Sequence, residues 1–113
     1  MRKGSDVDKI ALLYTTWPDA ETAERAAEAA VEARLAACVN ILGSGRSIYR
    51  WRGAIERTEE VVALFKTIVQ KSADLTQLII EHHPNETPAI LSIETAQTGS
   101  NPEFLDWIRQ EAS

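Results

Sequence analysis

Cysteine, aromatic residues and basic charge are all scarce in this chain of 113 residues. The single cysteine, Cys38, excludes an internal disulfide, which suits a reducing compartment and makes the cytoplasm the expected location. Lys and Arg number 12 against 17 Asp and Glu, which gives a net charge of -5. Because phosphate binding needs a basic surface, this balance argues against nucleic acid as a partner.

The chain also lacks a long apolar run. Its start, MRKGSDVDKI, passes from a basic pair straight into polar and acidic residues, so it predicts neither a signal peptide nor a membrane span. With 44% hydrophobic residues and no repeat or biased tract, the composition is that of a soluble globular protein. We therefore expect one domain over residues 1–113, with its core between residues 10 and 110.

Apolar periodicity and turn residues divide the chain into strands and helices. Asp19 and Asn101 are placed to begin helices, Ser72 is an expected N-cap, and Arg52 with Gly53 predicts a turn. The expected elements are a strand at 10–16, a helix at 20–34, a strand at 35–42 interrupted at 43–45 and resumed at 47–51, a strand at 54–69, a helix from 72, a strand at 89–97 and a final helix from 102.

This order predicts an α+β fold of the ferredoxin-like, split βαβ plan, followed by a C-terminal helix. In that plan two helices cover one face of an antiparallel sheet. The other face, which carries Val62 and Leu64, lacks a helix of its own to cover it. An uncovered apolar face predicts association between copies of the chain.

The segment EHHPNETPAI (81–90) is the main candidate for chemistry. Its imidazoles, His82 and His83, together with Glu81 or Glu86, are ligand types that suit copper, zinc or nickel. Adjacent helical side chains, however, diverge by about 100°. The spacing therefore favours a structural interpretation, in which His82 completes the apolar stripe of its helix and either histidine bonds carbonyls at the helix end.

Other reactive side chains have a structural and a functional interpretation. Cys38 is either a small buried side chain or a thiol, and the first is favoured because no second cysteine is present. Glu60 and Lys66 share one strand face and form either an ion pair or an acid–base couple. Trp51 and Trp107 are packing residues or ligand platforms. No nucleophilic triad, phosphate loop or carboxylate pair is present, so we do not expect an enzyme.

Taken together, RLAACVNI, SIYRWRGAI, EEVVALFKT, HHPNETPAI and FLDWI resemble the CutA family of divalent-ion tolerance proteins. The resemblance runs from about Ile10 to Ile108 with the motifs in family order. It implies a ferredoxin-like protomer, a compact and stable homotrimer, and an architecture similar to that of the PII signalling proteins. It also implies tolerance of copper and other divalent cations.

The resemblance also implies site residues. A metal would bind His82, His83 and Glu86, although Thr15 stands where some members carry a cysteine, and Asn85 where the family usually has tyrosine. The residues implied in clefts between subunits are Cys38, Asn40, Trp51, Glu60, Lys66, Thr67 and Trp107.

Three functions follow from these residues. The first is a trimeric, non-enzymatic protein that binds Cu(II) or another divalent cation, with no obligatory cofactor, no membrane and an unspecified protein partner. The alternative is a PII-like sensor or scaffold that binds a small anionic ligand in its clefts through Lys66. The third, an enzyme that uses Glu60, Lys66 and Cys38, is the least favoured.

Overall fold

The computed structural model describes residues 9–113. The strands are β1 (Ile10–Trp17), β2 (Cys38–Trp51), β3 (Ala54–Ile68) and β4 (Ile90–Glu94). The helices are α1 (Ala20–Glu32), α2 (Ser72–His82) and α3 (Pro102–Glu111), and a short 3-10 turn, Val69–Lys71, precedes α2. The order of elements and the ferredoxin-like fold class are both as predicted.

The four strands form one antiparallel sheet in the order β2-β3-β1-β4. β1 pairs with β3 only from Ile10 opposite Ile68 to Trp17 opposite Val61. Residues 54–60 of β3 therefore run past the end of β1 and pair with β2 alone. We call this two-stranded projection, residues 44–60, the arm. It contributes to a longest dimension of 52 Å, against 27 and 22 Å for the other two.

The glycine segment of β2 does not break the strand as the sequence suggested. The pairing with β3 continues past Gly43 with one register shift, between Leu42 and Ser44. A bulge of this kind adds one residue to one strand, so that beyond it the odd-numbered side chains of β2 take the face that the even-numbered ones occupied before it. The predicted turn at the tip of the arm is confirmed, because Arg52 and Gly53 both have positive φ, 50° and 84°, as a tight two-residue hairpin turn requires.

Two helices cover one face of the sheet, which we call the covered face. Alternate residues of β1 and β3 point into it, and Leu13, Trp17 and Phe65 are fully buried there. Helix α1 presents a stripe of alanines, which lets its backbone approach the sheet closely, and α2 adds larger apolar side chains. The buried helix residues are Ala23, Ala26, Ala27, Ala30, Leu75 and Ile79.

The opposite face is only partly uncovered, so the prediction that it lacks a helix is wrong at one end. There α3 packs Leu105 and Ile108 against a cluster that contains Ile10 and Ile68. The terminal helix reaches this end because it follows β4 and crosses back over β1 and β3. The remainder, which we call the bare face, carries half-buried and exposed apolar side chains: Leu12, Tyr14, Leu42, Val62, Leu64, Leu91 and Ile93.

Two of the three predicted helix caps are confirmed. The side chain of Asp19 accepts a hydrogen bond from the Thr22 amide, and that of Asn101 accepts one from the Glu103 amide. Ser72 is instead the first residue of α2, and its hydroxyl donates to the carbonyl of Val69. The 3-10 turn before α2 explains the difference, because it already supplies the local backbone bonds that a cap would make. None of the helices between residues 9 and 113 is long and apolar enough to cross a bilayer.

Candidate functional site

The two adjacent histidines lie in different environments because the helix ends between them. α2 ends at His82, and His83 takes an extended conformation, with φ of -84° and ψ of 135°. Pro84 causes this change, since proline disfavours helical geometry in the residue before it. The two rings consequently diverge, as the sequence argument anticipated.

His83 is built into the protomer. It is 8% exposed, and its ring stacks on the buried ring of Trp17 with 4.3 Å between centroids. Nε2 lies 2.8 Å from the carbonyl oxygen of Thr16, and Nδ1 lies 3.1 Å from the amide nitrogen of Asn85. Since a carbonyl only accepts and an amide only donates, Nε2 carries the proton and Nδ1 the lone pair. Both nitrogens of a neutral imidazole are thus engaged.

His82 is exposed, so the prediction that it completes the apolar stripe of α2 is wrong. Its Nδ1 lies 3.0 Å from the carbonyl oxygen of Leu78 and donates to it, as predicted for a histidine at a helix end. In that tautomer Nε2 keeps a lone pair. A backbone carbonyl that holds one ring nitrogen while the other faces outward is the common arrangement of metal-binding histidines.

The partner of His83, Trp17, was not singled out in the sequence. Its indole Nε1 donates to Thr15 Oγ1 at 2.7 Å, and Thr15 Oγ1 donates to the carbonyl of Ala63 at 2.8 Å. Thr15 therefore serves as a buried link between β1 and β3. The signal for Trp17 was its place at the end of an apolar strand, in phase with Leu13.

No preformed metal cluster is found among residues 9–113: no three of their His, Cys, Asp and Glu side chains are close enough together to hold one ion. Glu86 is exposed on the turn between α2 and β4. Within the predicted set, His82 offers a lone pair without rearrangement. A metal ion on His83 would instead require the ring to give up a backbone hydrogen bond.

Several predicted cleft residues meet at the edge of the bare face beside α3. Lys66 lies opposite Cys38 in the β2–β3 pair, and its Nζ donates to Asn40 Oδ1. Nζ also lies 5.4 Å from the centroid of the Phe104 ring, a cation–π distance. Phe104 stacks in turn on Trp107, at 5.7 Å between centroids. Cys38, Asn40, Lys66 and Trp107 thus belong to one neighbourhood.

The other predicted cleft residues lie elsewhere. Trp51 is 55% exposed at the tip of the arm, where the guanidinium of Arg52 lies 5.6 Å from the centroid of its ring. Glu60 lies at the base of the arm, on the same face of β3 as Lys66. Thr67 points to the covered face, where it is fully buried and its hydroxyl finds no hydrogen-bond partner among residues 9–113. Within one protomer these three residues do not meet Lys66.

The family profile of the CutA1 divalent ion tolerance protein matches residues 11–111. The divalent-cation tolerance protein CutA of Thermus thermophilus is 40% identical over 99 residues, which are 88% of this chain and 94% of that protein. The mouse Protein CutA is 36% identical over 101 residues; they are 89% of this chain but only 56% of the length of the mouse protein.

The fold matches as well. A solved structure from Archaeoglobus fulgidus, described as a periplasmic divalent cation tolerance protein CutA, superposes with a TM-score of 0.86 at 36% identity, over 92% of this chain and 99% of that chain. Family profile, sequence and fold agree over nearly all of the described residues. This chain therefore belongs to the CutA1 divalent ion tolerance protein family.

Proposed function

We propose that this chain is a non-enzymatic, trimeric protein that binds Cu(II) or another divalent cation and contributes to tolerance of that ion. The observation that carries the proposal is the family match across residues 11–111, together with relatives that are named for divalent-cation tolerance. Those relatives are named for tolerance and not for a small-molecule ligand, which gives the PII-like alternative no support.

The proposed metal site is the segment that holds His82, His83 and Glu86. Imidazole nitrogen suits Cu(II) and Zn(II), and Nε2 of His82 is exposed with its lone pair outward. His82 is therefore the first ligand in this proposal. His83 would join it only after the turn 83–88 rearranges, because its two ring nitrogens are hydrogen-bonded to the carbonyl of Thr16 and the amide of Asn85. Glu86 lies on the same turn and would join through the same rearrangement.

Calorimetric titration of the metal-free protein with Cu(II) and Zn(II) tests the site. We expect binding that weakens at least tenfold in His82→Ala, since a ligand atom is lost. Glu81→Gln, on an exposed neighbour of His82 outside the proposed ligand set, is the matched control and should bind as the parent does. Binding that is absent from the parent, or equal in His82→Ala and the parent, would contradict the proposed site.

The proposed trimer uses the bare face and the arm. Leu42, Leu91 and Ile93 are 47% to 63% exposed on that face, and such an apolar surface is costly to leave in water. Sedimentation velocity at micromolar concentration checks this part, and a monomer would contradict it. It is independent of the metal titration, so either part can fail alone.

The proposed compartment is the cytoplasm. The single free thiol of Cys38 suits reducing conditions, whereas one related structure is described as periplasmic. Fractionation of the native organism's cells, with the chain detected by antibody, decides between the two locations. Recovery in the periplasmic or extracellular fraction would contradict the proposal.

A further inference from the structure

Lys66 is a cation on an apolar surface to which the described part of the chain brings no counter-charge. It is half-buried on the bare face, where Asn40 accepts its hydrogen bond and Phe104 offers its ring. No carboxylate of residues 9–113 lies within ion-pairing distance of its Nζ. If another copy of the chain covers this face, the ammonium loses water, and that loss is costly unless an anion is supplied.

Glu60 is the complementary case on the same face. It is half-buried at the base of the arm, and its carboxylate makes neither a hydrogen bond nor an ion pair with any residue from 9 to 113. Val62 and Leu64 lie between it and Lys66 on the strand, so the two residues are about 20 Å apart along β3 at roughly 3.3 Å per residue. The charges are therefore too far apart to pair within one protomer.

The placement of these two charges suits a closed ring of copies. In a cyclic trimer two different patches of each copy meet, so the patches must be complementary to each other and not to themselves. The bare face has such a pair: a cation beside α3 and a carboxylate where the sheet narrows into the arm. The arm extends beyond β1, and no helix or strand other than its own two covers it within residues 9–113.

We propose that the bare face is covered by a second copy of this chain such that Lys66 of one copy forms an ion pair with Glu60 of the next. This inference rests on the proposed trimer and adds the polar contact that sets the register of its interface. The desolvated pair excludes alternative packings in which either charge would be buried alone. Lys66 and Glu60 are thus positioning residues of the assembly.

Charge exchange tests the pair. We would compare the parent, Lys66→Glu, Glu60→Lys and the double exchange by sedimentation velocity over a dilution series. Each single change should weaken the trimer at least tenfold, because like charges then face each other, and the double exchange should restore most of the loss. Glu56 is the matched control: it shares the face of Glu60 but is exposed and lies nearer the tip of the arm. Lys66→Glu combined with Glu56→Lys should not recover.

The outcomes separate this inference from the trimer itself. A monomeric parent would overturn both. If the parent is a trimer but Lys66→Glu does not weaken it, the ion pair alone is overturned. The same holds if Glu56→Lys, and not Glu60→Lys, restores the trimer of the Lys66→Glu variant. Should a charge-reversed variant fail to fold, as judged by circular dichroism, the neutral pair Lys66→Met and Glu60→Gln replaces it. Their effects on trimer dissociation must then be non-additive, since both remove the same contact; additive effects would overturn the inference.

Discussion

The two faces of the sheet are built from the same strands and differ in almost every property. On β1, Leu13 is fully buried under the helices, whereas its neighbour Tyr14 is 36% exposed on the bare face. On β3, Phe65 is fully buried and Leu64 only half-buried. Alternation along a strand thus separates two tasks. One set of side chains forms the core of the fold, and the other leaves apolar surface that residues 9–113 do not cover.

The largest expected effect comes from the covered face. Leu13→Ala removes a fully buried side chain and leaves a cavity, so we expect a loss of roughly 2–5 kcal/mol in the free energy of unfolding. Denaturant titration measures it. Leu91→Ala on the bare face is the comparison, because Leu91 is 63% exposed. If the proposed trimer covers Leu91, the effect should grow as the protein is diluted across the range in which that trimer dissociates. If the effect of Leu91→Ala on the free energy of unfolding did not depend on protein concentration, the assignment of the bare face to association would be contradicted.

The covered face was predictable from sequence, and parts of the rest were not. The apolar run of β1 and the alanine stripe of α1 are local patterns, and they indicated the correct elements. Two of the three expected caps, Asp19 and Asn101, were correct as well. The placement of α3 was missed because crossing back over the sheet is a tertiary event without a local signature. His82 was wrongly expected in the apolar stripe, and the burial of His83 was not foreseen, for a related reason: the ring of Trp17 on which His83 stacks is 66 residues away along the chain.

The second prediction compares those histidines. His83→Ala removes the stack on Trp17 and leaves the half-buried carbonyl of Thr16 without its donor, so we expect a loss of about 1–3 kcal/mol in the free energy of unfolding. His82→Ala should stay within about 0.5 kcal/mol, because its side chain is exposed. Urea unfolding of both variants checks the difference. Equal losses would mean that His82 also supports the fold.

A third pair of variants compares two threonines of the covered face. Thr15→Val breaks the link from Trp17 to the carbonyl of Ala63 and should cost about 1–3 kcal/mol. Thr67→Val replaces a fully buried hydroxyl that has no hydrogen-bond partner among residues 9–113, so it should be neutral or stabilise by up to about 1 kcal/mol. Thermal unfolding measures both. A marked loss in Thr67→Val would indicate that its hydroxyl is satisfied by water.

The smallest effect concerns the start of α1. The bond from the Thr22 backbone amide lowers the pKa of Asp19 below its ordinary value of 3.8. A lowered carboxyl pKa contributes stability above that value, and the contribution is lost as the pH falls through the folded-state pKa. Compared with Asp19→Asn, which keeps a cap but not the charge, the parent should have a slightly higher melting temperature near neutral pH, and this difference should vanish as the pH falls through the folded-state pKa of Asp19. An advantage that persists in acid would contradict this assignment.

The bulge at Gly43 determines which side chains of the outer half of β2 lie on the same side as the bare face. Before it, Cys38, Asn40 and Leu42 face the bare side; after it, Tyr49 and Trp51 do. If the same chain alternated regularly through Gly43, without the bulge, Arg46 and Arg50 would face the bare side in place of the aromatic rings. The extra residue therefore puts aromatic and not cationic side chains on this side of the arm.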